Sequence, residues 1–443
     1  MMRPALQQRH AFRRATNRRG MTLLEVLLVL GLLVIVAALL IPMLLGARER
    51  ARAVMCQDQL RLIGTAFSVH ADNDKLERFT TGAFDFIDDG CPDQFGWVSS
   101  LRTIEPQVSV LSETPATSLL LCPGNPVRGS RVMEDLLRAD AARLPPVDVN
   151  GIARWKVGIC NAVDGILSTT PKTVERAASV QAMVRGGWNT NYAASWFLVR
   201  GEPARWLSQR TGVNPGGRTE WQLSMKTDDV YVGCPGLSHL NCTTGPLTRR
   251  QIDNSDVPSS ALPFLGDGGS ALADIRLSAS MGYNLPKGSS LAVNFGVGPA
   301  TWNPQTHAVE RFTASTAVPA RVLNPDRVPL PVGEIMTGEM AAKVTRNPSR
   351  TLVLQDTRHW AAVHRGQLQL LMADGSVRQL TDRNGDGFIN PGFPVDRPVK
   401  ETAKDTGQRA DYRDGLVESN GFEVFAGTLI FESFFHKETF EEF

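Results

Sequence analysis

The sequence carries almost no net charge, with 47 basic against 45 acidic residues in 443 and a formal charge of +2. So small an excess argues against a nucleic-acid partner held by phosphate neutralisation. Charged residues make up 21% and apolar residues 42% of the chain, which excludes wholesale disorder, a coiled coil and a polytopic membrane protein. No C-x-x-C occurs among the six cysteines, so neither a zinc ribbon nor a thioredoxin-type redox motif is supported. His-Glu-x-x-His, Gly-x-Ser-x-Gly, a Walker loop and Gly-x-Gly-x-x-Gly are also missing. Neither Asp88-Asp89-Gly90 nor the seven scattered histidines compose a recognisable catalytic set, and the chain reads as a non-enzyme. What is plentiful is glycine (39) and proline (27), which predicts many turns and loops.

The average composition hides a segregated chain. Residues 1–20 hold six arginines and no acid, so removing them turns the formal +2 into −4. Val26 to Leu45 then forms a run of twenty residues with nothing more polar than Gly31 and Pro42. At 1.5 Å per residue such a helix spans the ~30 Å hydrocarbon core. With arginines on its N-terminal side, it should keep its start in the cytoplasm and send the rest outward. A secretory signal peptide normally has a shorter apolar run, although Gly46-Ala47 offers a weak cleavage site. A plain single-pass anchor fits the hydropathy but gives no reason for Glu25, a carboxylate costing roughly 2.5–3.5 kcal/mol at the centre of an inserted helix.

The string RRG-MTLLEVLLVLGLLVIVAALLIPMLL resembles the class III signal of type IV prepilins and type II secretion pseudopilins. Arg18-Arg19 match the basic flank, Gly20 the residue before the cut, Met21 the new N-terminus, Glu25 the acid four residues on, and Pro42 a helix-kinking proline. The resemblance implies cleavage after Gly20 and N-methylation of Met21 by a prepilin peptidase. It also implies assembly with other pilin or pseudopilin subunits, Glu25 neutralising the amine of a neighbouring Met21. An unpaired buried charge is expensive, so that pairing would fix the register between packed helices.

From Ala47 the pattern becomes amphipathic. Met55, Cys56, Leu60, Ile63, Ala66, Phe67 and His70 recur at three- and four-residue spacing, with Asp72-Asn73-Asp74 at the exit. A helix from Thr22 to His70 is predicted, with His70 a packing residue. The organisation read from this is a leader at 1–20, a membrane half of the helix at 21–45 and an amphipathic half at 46–75. A β-rich head with long loops follows at 76–350, then a hairpin segment at 351–400 and a C-terminal segment at 401–443. The fold class is α+β, a long N-terminal helix packed on a large antiparallel-β-rich head. Short β-prone runs at Phe197–Val199, Val230–Val232, Leu291–Phe295 and Thr351–Leu354 support it, and residues 131–143 read as a short helix. Stretches near 212–217, 284–304 and 318–333 read as loops or joints.

Near the C-terminus nine residues separate His364 from Asp374-Gly375. Locally this is a hairpin, Gln367–Met372 against Ser376–Leu380, with Gly tolerating positive φ in the turn. The pattern resembles the H-x9-DG motif of a large-headed prepilin-like family. The segments CQDQLRLIGTAF (56–67), NTNYAAS (189–195) and LPFLGDGGS (262–270) fit the same family. Directly after the hairpin, Asp382, Asn384, Asp386, Phe388 (by its carbonyl) and Asn390 follow the spacing of an EF-hand-type loop, which suggests a structural Ca2+. Position 12 is Phe393 where an acid is expected, with Asp396 as the candidate substitute.

An even number of cysteines permits disulfides in an exported head. Cys234–Cys242 is the first pair suggested and Cys122–Cys160 the second, with free buried thiols as the alternative. Eight tryptophans, among them Trp97, Trp188 and Trp196, fit either core packing or stacking on sugars. Three functions stand side by side. The first is a prepilin-like subunit in the inner membrane with its N-terminus cytoplasmic, joining a fibre in the periplasm or at the cell surface. The second is a single-pass inner-membrane protein whose extracytoplasmic head binds a ligand or carbohydrate. The third is a tethered enzyme with an unrecognised site.

Overall fold

The computed structural model describes residues 21–104, 120–144, 148–149, 152–163, 165–203, 222–223, 236–270, 275–282, 285–311, 318–319, 330–344, 352–396, 411–427 and 430. The chain divides into two compact units, Met1–Arg50 and Ala51–Phe443. One helix, Leu23–Asn73, runs through the division. Among the described residues it is the one helix long and apolar enough to cross a membrane.

In the first unit the large apolar side chains of this helix, from Leu23 to Met43, lie exposed. Leucine dominates there, with nine of the residues from Leu23 to Met43, and costs little to order in a helix. The backbone stays helical through Pro42.

In the second unit the same helix buries one stripe. Cys56, Leu60, Ile63, Ala66, Phe67, His70 and Ala71 are all buried. Met55, expected in that stripe, is 55% exposed. It sits roughly 100° round the helix from Cys56, off the line through Leu60, Ile63 and Phe67. The helix ends at Asn73, where Asp74 takes over: its carboxylate accepts from the Leu76 N–H at 2.9 Å and pairs with Arg78 at 2.7 Å. His70 is a packing residue, its Nδ1 donating to the Arg78 carbonyl at 2.8 Å.

The stripe packs on a four-stranded antiparallel sheet in the order Val377–Thr381, Gln367–Met372, Pro263–Asp267, Tyr192–Ala194. The strand Gln367–Met372 shows the two-residue alternation of a sheet covered on both faces. Gln369 and Leu371 face the helix: Gln57 Nε2 donates to Gln369 Oε1 at 3.0 Å, and Leu371 reaches Gly64, where any Cβ would come within 2.9 Å of its Cδ1. Leu368 and Leu370 join Trp360, Ile389 and Val424 in a separate cluster on the other face. Phe264 meets Phe67 edge-on, with ring centroids 6.1 Å apart.

A second antiparallel sheet, Val353–Gln355, Pro299–Asn303 and Ala308–Arg311, carries its own core of Trp302, Phe388, Phe393, Tyr412 and Val417. Mixed helix and antiparallel sheet thus agree with α+β. Two local readings change. Phe197–Val199 is helical, within Trp196–Arg200, because the Ser195 hydroxyl caps it by accepting from the Leu198 N–H at 3.1 Å. The stretch 284–304 is not loop throughout, since Leu291–Ala292 and Pro299–Asn303 are strands. The short helix appears as Arg131–Arg138, capped by Ser130. Val230–Val232 and 212–217 lie outside the described residues.

Candidate functional site

At the start of the long helix Thr22 and Glu25 form a reciprocal cap. The Thr22 N–H and hydroxyl donate to Glu25 Oε2 at 2.8 and 3.1 Å, and the Glu25 N–H donates to Thr22 Oγ1 at 3.3 Å. This is a capping box, which satisfies helix donors that would otherwise lack partners in an apolar phase. Glu25 therefore has a local role that the sequence reading did not give it. Met21, just before the cap, is exposed, while Gly20 lies outside the described residues.

Further along, four sequence segments meet where the helix joins the sheet. Cys56, on the helix, is disulfide-bonded to Cys122. The loop carrying Cys122 is held by Asn191, whose side chain accepts from the Cys122 N–H at 2.7 Å and donates to the Cys122 and Val127 carbonyls at 3.1 and 2.9 Å. His364 closes the group from the hairpin. Its Nε2 lies 3.3 Å from Cys122 Sγ and 3.3 Å from Asp267 Oδ2, and its ring fills the space a side chain on Gly124 would need. Cys56, Cys122 and Asp267 have no exposure and His364 has 5%. Burial pushes the Asp267 carboxyl up, against the pull of His364.

The H-x9-DG motif is thus one hairpin with two ends. At the His364 end, His364 and Gln367 exchange backbone hydrogen bonds at 3.1 and 3.2 Å. At the other, Gly375 takes φ 82° and the Asp374 carboxylate accepts from the Ser376 N–H at 2.9 Å and from its hydroxyl at 2.6 Å. Asp374 is on the exposed turn and His364 in the core, so the two are not partners.

The cysteine pairing differs from the expectation. Cys122 does not pair with Cys160; the bonds are Cys56–Cys122 and Cys91–Cys160, spanning 66 and 69 residues. The stripe on the helix delivers Cys56 to Cys122, a long-range contact that loop length along the chain does not reveal. Cys242 is disulfide-bonded, and Cys234, its expected partner, lies outside the described residues.

The Asp-rich loop coils on itself. Asp382 accepts from the N–H groups of Gly385, Asp386 and Gly387, Asn384 Oδ1 from that of Asp386, and Asp386 from those of Phe388 and Arg413. The third acid is Glu418, from the C-terminal segment, whose carboxylate accepts from the Arg383, Asn384 and Asn390 N–H groups. Asp382, Asp386 and Glu418 bring oxygens within 4.8 Å of one another. Burial raises Asp386 and pushes Glu418 up to about 7. Three carboxylates and an amide oxygen are a hard donor set of the type Ca2+ takes. Asp396 is not the substitute acid: it pairs with His307 at 2.7 Å. Phe393 is core, stacked on Tyr412, and the Asn390 amide is used within the turn, accepting from Gly392 and Phe393 and donating to Phe393 and Asp414 carbonyls.

Sequence reasoning missed Asp267, Asn191, Arg200 and Glu418. Asp267 and Asn191 do sit inside the segments LPFLGDGGS and NTNYAAS. Arg200 holds Asp89 in a two-pronged pair at 2.6 and 3.0 Å, both side chains without exposure. Asp89 is thereby committed to a structural ion pair. Trp97 and Trp196 are core residues, their indole N–H groups bonded to the Asn294 and Leu237 carbonyls, which leaves no face for a sugar. No family model, curated protein or solved structure matches the chain.

Proposed function

We propose that the protein is a prepilin-like structural subunit. In this reading it is cleaved after Gly20, N-methylated at Met21 by a prepilin peptidase, and assembled through its N-terminal helix into a type IV pilus-like or type II secretion pseudopilus fibre. The head lies outside the cytoplasm, and the role is structural rather than catalytic. The observation that carries the reading is the division of the helix Leu23–Asn73. Its apolar half follows directly on Arg-Arg-Gly-Met, and its amphipathic half is buried along one stripe and disulfide-bonded in the head. A subunit pulled into a fibre by its helix needs such a fastening. The Asp-rich loop would hold Ca2+ through Asp382, Asn384, Asp386 and Glu418, bracing the C-terminal segment against the hairpin.

The Thr22–Glu25 cap gives a specific reason to weigh a plain membrane anchor beside this reading, since an anchor also benefits from a capped start. Glu25→Gln separates the two roles, because glutamine can keep the box but carries no charge. In the fibre reading Glu25→Gln and Glu25→Ala are both cleaved, and both fail to enter sheared filaments. Normal incorporation of Glu25→Gln would assign Glu25 to capping alone.

A further inference from the structure

The group formed by Cys56, Cys122, His364 and Asp267 is unsatisfied as it stands. His364 Nδ1 and Asp267 Oδ1 are buried without a hydrogen-bond partner. No placement of the imidazole proton removes the deficit. A proton on Nε2 serves Asp267 and leaves Nδ1 a bare lone pair. A proton on Nδ1 has no acceptor and turns the Nε2 lone pair toward the Asp267 carboxylate, a repulsion that a cation between the two would relieve while the Nδ1–H stays unpaired. A doubly protonated ring strands the Nδ1–H. Buried polar groups are normally paired, and a histidine has two nitrogens to satisfy.

The set has another property. Each of the four residues places a ligand atom within 4.8 Å of all the others. Two sulfurs, an imidazole nitrogen and a carboxylate are the ligand types of tetrahedral zinc, and thiolates select it over Ca2+ or Mg2+. With bonds of about 2.3 Å to sulfur and about 2.0–2.1 Å to nitrogen and oxygen, the edges of such a tetrahedron run about 3.3–3.8 Å. The His364–Asp267 and His364–Cys122 separations, both 3.3 Å, already have that size. The sulfur–sulfur edge, now a covalent bond, must open.

We propose that the dithiol form of the chain binds one Zn2+ through Cys56, Cys122, His364 Nε2 and Asp267. A small-molecule or protein dithiol supplies two electrons and two protons to the disulfide, giving two thiols and its own disulfide. Zn2+ then displaces both thiol protons to solvent, and the two thiolates, neutral His364 and ionised Asp267 hold it. The reverse step needs a disulfide oxidant, which takes two electrons from the thiolates and two protons from solvent, becomes a dithiol, and frees Zn2+ as Cys56–Cys122 re-forms. The amphipathic half of the helix is thus fastened in either redox state, by a covalent bond to the Cys122 loop or by a metal bridge that also reaches Asp267 on the sheet.

The test uses the full chain in detergent, reduced without oxygen, loaded with Zn2+ or Co2+ and desalted. The reduced chain should retain zinc in a Cys91→Ser/Cys160→Ser background, the oxidised chain should retain none at this site, and His364→Ala or Asp267→Asn should weaken retention by at least roughly tenfold. Co2+ in the reduced Cys91→Ser/Cys160→Ser chain should give tetrahedral bands with thiolate charge transfer, which reports the ligands without removing His364 or Asp267. A helical, reduced chain that holds no zinc overturns the proposal. So does zinc that persists in His364→Ala but is lost in Cys91→Ser/Cys160→Ser.

Discussion

Asp135 sits beside Arg131 at 3.2 Å, yet its carboxyl is pushed up to about 7, chiefly by burial and further by Asp85 and Glu134, with Arg131 opposing. A carboxyl whose pKa is raised in the folded chain takes up a proton on folding. Its contribution to stability is full below the ordinary carboxylate value of about 4 and is lost as pH rises through about 7. Asp88, raised to about 7 by burial and then by Asp85, acts in the same direction. Urea unfolding from pH 4 to 7 should therefore show stability falling with pH, with a shallower fall in Asp135→Asn. Equal slopes would contradict the assignment. Gly124 is a second residue with a sharp expectation. A Cβ there would lie 2.3 Å from His364 Cε1, so Gly124→Ala should displace the ring and cost about 1–3 kcal/mol in a denaturant melt. For the Asp-rich loop, chelator should lower the melting temperature of the wild-type chain and leave Glu418→Gln unchanged. No shift in the wild type would count against Ca2+.

At the scale of elements, the disulfide Cys56–Cys122 ties the helix to the loop that Asn191 holds beside the sheet. Closing a loop of 66 residues restricts the unfolded chain, and losing the bond costs about 2–4 kcal/mol. Cys56→Ser/Cys122→Ser should show that loss in chemical denaturation without zinc; an unchanged midpoint would mean that Gly64, Phe67 and Gln57 hold the helix unaided. The elements themselves were legible wherever the cause is local. The helix came from an apolar run followed by a three- and four-residue stripe, and the hairpin from Gln367–Met372 with Asp374-Gly375. Phe197–Val199 was misread because aromatic and β-branched content outweighed the Ser195 cap. The junction was legible only in pieces. Cys56, Asn191, Asp267 and His364 each lay in a segment singled out from the sequence, but no periodicity says that they touch. Glu418 was invisible for the same reason, since it reaches the loop from 36 residues beyond Asp382.

Across the whole molecule, the bland charge of +2 resolves into a basic stretch over residues 1–20 and a mildly acidic remainder. The long helix gives one unit an exposed apolar surface and the other a buried stripe. A plain anchor requires the first property and has no use for cleavage beside it. A fibre subunit requires both, together with removal of the basic residues ahead of Met21. The measurement that separates these most directly is mass spectrometry of the N-terminus of the chain purified from membranes of cells that make it. The prepilin reading predicts a chain that begins at N-methylated Met21. An intact Met1, or a cut near Ala47, would contradict it.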